Sequence, residues 1–171
     1  ERPLVFVGND LPGIMLSSAV QTYITQYGVL PGRRAVIFTN NDTAYKTALS
    51  FQKAGGFVRA IIDTRAVVKG ALVKATRDSG IEILSGHAVS AAHGIHHVGR
   101  VEIVPLSSDG KSLAGEALHM DCDLVMMSGG LTPTVHLHSQ ARGKLAWDEK
   151  HSCFIPGATN EVAKSVGACN G

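Results

Sequence analysis

The sequence is poor in cysteine and aromatic residues and has no long apolar run. Its three cysteines, Cys122, Cys153 and Cys169, are odd in number and share no CxxC spacing. That argues against a disulfide framework or thiolate metal site and fits reduced cytosolic thiols. No stretch approaches the roughly 18 apolar residues of a membrane span. A net charge of +2, with both signs interspersed, gives no electrostatic reason to expect nucleic acid or a membrane surface. Ser17, Ser18, Ser128 and Ser139 lack a Gly-x-Ser-x-Gly elbow, and no HExxH, P-loop or EF-hand spacing occurs. The opening Glu1-Arg2-Pro3 is neither a signal nor a transit peptide. With no initiating Met, and with Val166-Gly167-Ala168-Cys169-Asn170-Gly171 following a strand-like run, the chain reads as an excised middle segment of a longer polypeptide. A length of 171 residues suits one domain or a large piece of one.

The organising stretch is 33–65. A hydrophobic run, Ala35-Val36-Ile37-Phe38, leads through the polar turn Thr39-Asn40-Asn41-Asp42 into a helical pattern over 43–54. Phe57 to Ile62 then form a second apolar run that ends on Asp63. Strand, turn, helix, strand, acid is the order of a βαβ dinucleotide-binding unit, with the acid about 20 residues past the turn, where it would bind a ribose hydroxyl. The glycines are missing, because Thr39, Asn41 and Ala44 stand where Gly-x-Gly-x-x-Gly belongs. Ala44 keeps the close helix–strand approach, while the Thr39 and Asn41 side chains would intrude on a phosphate and Asp42 would repel it. The turn therefore reads as a vestigial phosphate site, and Asp63 with Arg65 as a strand-end acid beside a solvated base unless a ribose lies there.

The remaining pattern predicts an α/β domain of Rossmann-like, three-layer type. It has a central parallel sheet with an inserted antiparallel meander. A short strand at 4–7 precedes a helical pattern from Ile14 to Tyr27. A further helix is expected over 66–77 and a strand over 81–84, with two helices packed on the sheet in all. Alternating stretches over 88–95, 99–106 and 113–120 form the meander, with Asp109-Gly110 as its hairpin signal. A buried strand over 121–127 runs into Ser128-Gly129-Gly130, then come a helical turn over 134–141 and a small hairpin near Asp148-Glu149. On alternation His93 and His97 share one face of the meander, which is too few ligands for a metal site. Cys122 lies between two aspartates, which raise a thiol pKa.

This order of elements resembles the nucleotide-binding half of the pyridine nucleotide-disulfide oxidoreductase class of flavoproteins. Three stretches are more specific: 1–13 (ERPLVFVGNDLPG), 38–45 (FTNNDTAY) and 129–140 (GGLTPTVHLHSQ), with Gly143-Lys144-Leu145 and Trp147 following. Together they resemble the alpha subunit of heterotetrameric sarcosine oxidase across essentially the whole chain. The resemblance implies an oxidoreductase acting on the CH–NH group of sarcosine, within a bacterial, cytoplasmic complex of alpha, beta, gamma and delta subunits. Such a complex gives glycine, a one-carbon unit and hydrogen peroxide. It implies FAD in the beta subunit, FMN near the alpha–beta boundary, NAD held by the alpha subunit outside this stretch, and a folate-related region downstream. On that pattern residues 1–32 are a connecting strand and helix from the adjoining FAD/NAD-type domain. Residues 33–130 are a degenerate NAD-binding-like βαβ domain with meander, and 131–171 return toward the first dinucleotide-binding domain. Asn170 stands where related flavoproteins carry the acid of a Gly-Asp pair.

Candidate cofactor-binding residues are Gly129, Gly130, Thr132, Pro133 and Asp63, the glycines lying at the carboxyl end of a parallel strand where ligands bind in such sheets. His136, His138, Ser139 and Gln140 are candidates for contact with a flavin or the beta subunit, set against a simply hydrogen-bonded loop. No catalytic and no metal-ligating residue is expected. The segment reads as a nucleotide-binding-type scaffold; an NAD(P)H-dependent flavin or disulfide reductase domain and a purely structural interaction module are the alternatives.

Overall fold

A computed structural model of the chain describes residues 1–159, 161, 162 and 164–170; Gly171, the last of the terminal run noted above, lies outside them. The chain divides into two compact units, Glu1–Gly130 and Leu131–Gly171.

The first unit is built on a parallel sheet whose strands lie in the order β1-β8-β2-β3-β4. These are β1 (Ile14–Leu16), β2 (Arg34–Thr39), β3 (Phe57–Asp63), β4 (Ile83–Ser85) and β8 (Leu124–Ser128). Strands buried on both faces read as continuous apolar runs, and β2 and β8 do so. Ala35 and Ile37 of β2 pack with α1 (Ser17–Tyr27), α2 (Thr43–Lys53) and α3 (Ala71–Asp78) in one core. Val36 and Phe38 face the opposite core, shared with β5 (His87–Gly94) and β6 (Val98–Pro105). In β3 the register shifts, so that Val58 and Ala60 pair with successive residues of β2 and Arg59 is the extra residue. The bulge keeps Val58 and Ile61 with the helices and Ala60 and Ile62 with the meander; without it a one-residue slip would turn half the strand over. Each large aliphatic side chain fully buried this way contributes about 1.5–3 kcal/mol.

The expected fold class is thus the observed one, helices, parallel sheet and meander forming three layers. Several elements differ in extent. Ile14 to Leu16 are not the start of the first helix but an edge strand paired with Val125 to Met127, because three consecutive apolar residues satisfy the open side of β8 before the helical spacing begins. Three helices rather than two pack on the sheet, since α1 contacts both α2 and β8. The stretch at 4–7 forms no strand; only Val7 bridges to Ala91. The helix expected over 66–77 starts at Ala71, after Gly70, whose φ of 133° no residue with a side chain readily adopts. Asp109-Gly110 does turn the chain, inside a bridge between Leu106 and Leu113. The third meander strand, β7, is nevertheless confined to Leu118–Asp121. Strand β5 ends at Gly94, so His96 and His97 lie in the turn and share no strand face with His93.

The second unit holds a short helix, α4 (His136–Gln140), and an antiparallel hairpin of β9 (Leu145–Asp148) and β10 (Cys153–Pro156), with Trp147 opposite Phe154.

Candidate functional site

Parallel pairing brings Ser128, Thr39 and Asp63 side by side at the carboxyl ends of β8, β2 and β3. This is the edge where open α/β sheets bind ligands. Here the chain's own polar groups converge on it.

At the β2–α2 turn, the Thr39 hydroxyl lies 3.0 Å from the Asn41 carbonyl and 3.2 Å from that of Ser128, and accepts the Asn41 N–H at 3.1 Å. The Asn41 side chain donates to the Ser128 carbonyl at 3.0 Å, and its Oδ1 accepts the Thr43 N–H at 3.0 Å. Asn41, not Asp42, therefore supplies the helix-capping acceptor, in an Asx turn. A dinucleotide needs bare backbone N–H groups and room against them at this position. The N–H of Thr43 is instead taken by Asn41, two side chains occupy the turn, and the Asp42 carboxylate stands at the helix N-terminus. The turn does not fit a pyrophosphate.

Asp63 is fully buried. Its Oδ2 accepts the Tyr45 hydroxyl at 2.8 Å and Arg65 Nη2 at 2.8 Å, while Oδ1 accepts the Arg65 backbone N–H at 2.9 Å and Nε at 3.0 Å. Arg65 Nη2 also reaches Asp42 Oδ1 at 2.7 Å. Arg65 is therefore no solvated base but the bridge between a buried and an exposed carboxylate. Its hydrogen bond to Asp63 lifts the guanidinium above even its usual high pKa. Burial, then the Asp63 hydrogen bond and charge, push the Tyr45 hydroxyl well above the ordinary phenol range. Sequence reasoning missed Tyr45: nothing local ties a residue on the first turns of α2 to the end of β3. Thr64 and Ala66, the chain neighbours of Arg65, line a cavity of about 310 Å³ with Gly86, Leu106, Ser107 and Asp109, among others.

Gly129 and Gly130 follow β8 and are crossed by the N-terminal segment: the Gly129 N–H donates to Arg2 O and the Arg2 N–H to Gly130 O, each at 2.8 Å. A Cβ on Gly129 would stand 2.9 Å from the Pro3 carbonyl oxygen. Gly129 is thus required by a close approach of the chain's own backbone, and Gly130 by its φ of 94°, which side-chain-bearing residues rarely adopt.

In the second unit Thr132 is exposed, while Pro133 lines a cavity of about 260 Å³ with Leu131, Asp148, His151, Cys153, Ile155 and Asn170. The Asp148 carboxylate, hydrogen-bonded to His151 at 2.6 Å, is held below the usual carboxylate range. His136, Ser139 and Gln140 are exposed. His138 lies across Gly143, its Nε2 3.0 Å from the Lys144 carbonyl oxygen, while the Gly143 N–H donates to the His138 carbonyl. The Cys122 thiol, buried under the meander, is pushed up to about 12, by burial first and by Asp123 and Asp121 second. Among the described residues no group of three or more His, Cys, Asp or Glu side chains is placed to hold a metal ion, and no helix is long and apolar enough to cross a membrane.

No protein-family model matches the chain. Along its whole length it is 38% identical to part of a sarcosine oxidase subunit alpha from Corynebacterium sp. strain P-1, covering 18% of that protein. The corresponding subunit of Rhizobium meliloti strain 1021 is 37% identical over the whole chain, which covers 16% of it. The chain thus spans less than a fifth of these curated relatives. Among solved structures, thioredoxin reductase of T. acidophilum matches with a TM-score of 0.64 at 16% identity, over 99% of this chain and 57% of that one. An FAD-dependent pyridine nucleotide-disulphide oxidoreductase from Desulfovibrio vulgaris matches with a TM-score of 0.60 at 18% identity, over 90% of this chain and 42% of that one. At such identities the likeness is one of fold.

Proposed function

We propose that this chain, related over its whole length to a middle segment of sarcosine oxidase subunit alpha, serves such an oxidoreductase as a scaffold of nucleotide-binding type and carries no catalytic residue of its own. In this reading the parent complex oxidatively demethylates sarcosine to glycine, a one-carbon unit and hydrogen peroxide, and works in the cytoplasm. The oxidation takes place at FAD in a beta subunit and electrons pass to FMN. NAD is held mainly by the part of the alpha subunit outside this segment, and gamma and delta subunits and folate complete the assembly. Gly129 and Gly130 shape the chain's approach to the carboxyl edge of the sheet. Thr132 and Pro133, with His136, His138, Ser139 and Gln140, are the surface offered to a flavin or to the beta subunit.

One observation carries the scaffold reading: the β2–α2 turn is filled by Thr39 and Asn41, whose side chains bond to Ser128 and to the start of the helix. A working dinucleotide site needs glycine there so that backbone N–H groups can meet phosphate. The reductase alternative draws on the fold likeness to thioredoxin reductase, but it requires this same cradle to deliver a hydride donor, so the filled turn argues against it.

The test uses the full-length alpha-type chain, alone and with its partner subunits. Sarcosine-dependent hydrogen peroxide formation that appears only with the partners supports the scaffold reading. NADH oxidation by the alpha-type chain alone would replace it with the reductase. Tight NAD binding by the present 171-residue chain would overturn the vestigial turn.

A further inference from the structure

We infer that Arg65 acts as an internal ligand of Asp63, closing a ribonucleoside site that the fold retains at the end of β3. The inference rests on the scaffold reading and adds to it what the lost dinucleotide site still recognises.

The geometry supports this step by step. A carboxylate at the end of the second strand of a βαβ unit recognises a ribose by accepting hydrogen bonds from its hydroxyls. A planar guanidinium presents two parallel donors to a carboxylate in much the same pattern. Arg65 does this to Asp63, with Nε 3.0 Å from Oδ1 and Nη2 2.8 Å from Oδ2. The other two donors, the Tyr45 hydroxyl and the Arg65 backbone N–H, hold the carboxylate in orientation. Those two contacts belong to the fold and remain when the Arg65 side chain is removed. The guanidinium lies on the solvent side: the Asp63 side chain has no exposure, that of Arg65 has 35%, and Asp42, which Arg65 also reaches, has 50%.

The two residues that flank Arg65 in the chain, Thr64 and Ala66, line the cavity of about 310 Å³ that extends to Gly86, Ser107 and Asp109, which leaves space for the rest of a ligand next to this segment. This volume lies at the lower end of the range for small-molecule pockets, enough for a base and sugar. The phosphate side is shut, because Asn41 and Thr39 fill the turn and Asp42 places a negative charge where an anion would go. The chemistry that remains is that of an uncharged ribonucleoside, and Arg65 competes with it for Asp63.

The experiment measures adenosine binding to the full-length chain by equilibrium dialysis, for the native protein and for Arg65→Ala. The variant is expected to bind about one more equivalent of adenosine per chain than the native protein. Binding of 2′-deoxyadenosine should be weaker by about tenfold or more, since one hydrogen bond to a charged acceptor is lost. Methylguanidinium, which restores the missing donors, should displace that additional adenosine. Arg65→Lys guards against loss of fold, because it keeps a cation beside both carboxylates but cannot fork across Asp63; it too should gain adenosine. The inference is overturned if the folded variants bind no more adenosine than the native chain, or if they bind adenosine and its 2′-deoxy form equally. That failure leaves the scaffold reading intact, whereas NAD binding by the native chain at this unit would remove the scaffold reading itself.

Discussion

The Tyr45 hydroxyl donates a 2.8 Å hydrogen bond to Asp63 Oδ2, and both residues are completely buried, one on the first turns of α2 and the other at the end of β3. Replacing Tyr45 by Phe keeps the ring packing and removes one donor from a buried carboxylate. The expected cost is about 1–3 kcal/mol, the range for leaving a buried polar group short of a partner. A urea titration would show it as a lower midpoint with unchanged slope; an unchanged midpoint would mean the bond contributes nothing net.

The two carboxylates bridged by Arg65 should differ sharply in weight. Asp63→Ala removes the buried partner and leaves the guanidinium held only by Asp42, so a loss of about 3 kcal/mol is expected. Asp42→Ala breaks an ion pair whose acid is half exposed, and less than about 1 kcal/mol should follow. Equal losses for the two variants, measured by denaturant unfolding, would contradict this ordering.

Gly129→Ala should destabilise the crossing of the N-terminal segment. The added methyl carbon would stand 2.9 Å from the Pro3 carbonyl oxygen and 3.0 Å from that of Arg2, and backbone cannot swing aside as a flexible side chain does. A loss of about 1–3 kcal/mol is expected from such overpacking. Amide exchange should rise at the Gly129 N–H, which is bonded to Arg2.

Cys122 gives the chain a defined alkaline weakness. Its thiol is raised from 9.0 to about 12 in the folded chain, so the neutral form is favoured there and the thiolate in the unfolded chain. The stabilising contribution is therefore complete below about pH 9 and is lost as pH rises toward 12. Tyr45, raised from its ordinary 10.0, adds a loss of the same sign at higher pH. Unfolding midpoints should fall through this window, and Cys122→Ala should make the fall shallower. At neutral pH, alkylation should reach the partly exposed Cys169 well before Cys122. Rapid labelling of Cys122 would contradict its burial.

Periodicity and turn chemistry carried much of the fold. The continuous apolar runs of β2 and β8 marked strands buried on both faces, and Asp109-Gly110 marked a turn the chain does make. What local pattern misjudged were short edges: Ile14 to Leu16 carry helical spacing and strand composition together, and only the open side of β8 decides between them. The missing glycines at Thr39, Asn41 and Ala44 were equally legible, because a phosphate cradle is a matter of local backbone geometry and the absence of side chains.

The amino-acid order by itself determined that a βαβ frame would form, that its β2–α2 turn would carry side chains where a phosphate-binding turn has glycine, and that an acid would end β3. Only the tertiary structure decided what that acid touches. Arg65 lies only two residues from Asp63, but Tyr45 reaches it from α2 and Asp42 joins from the turn, so the cluster is complete only once β2 and β3 pair in register and α2 packs across them. A lone carboxylate at a strand end is free to meet a ribose. The same carboxylate, buried and bonded to a tyrosine and an arginine of its own chain, is already satisfied, because burial makes an unpaired charge too costly to leave waiting for a ligand.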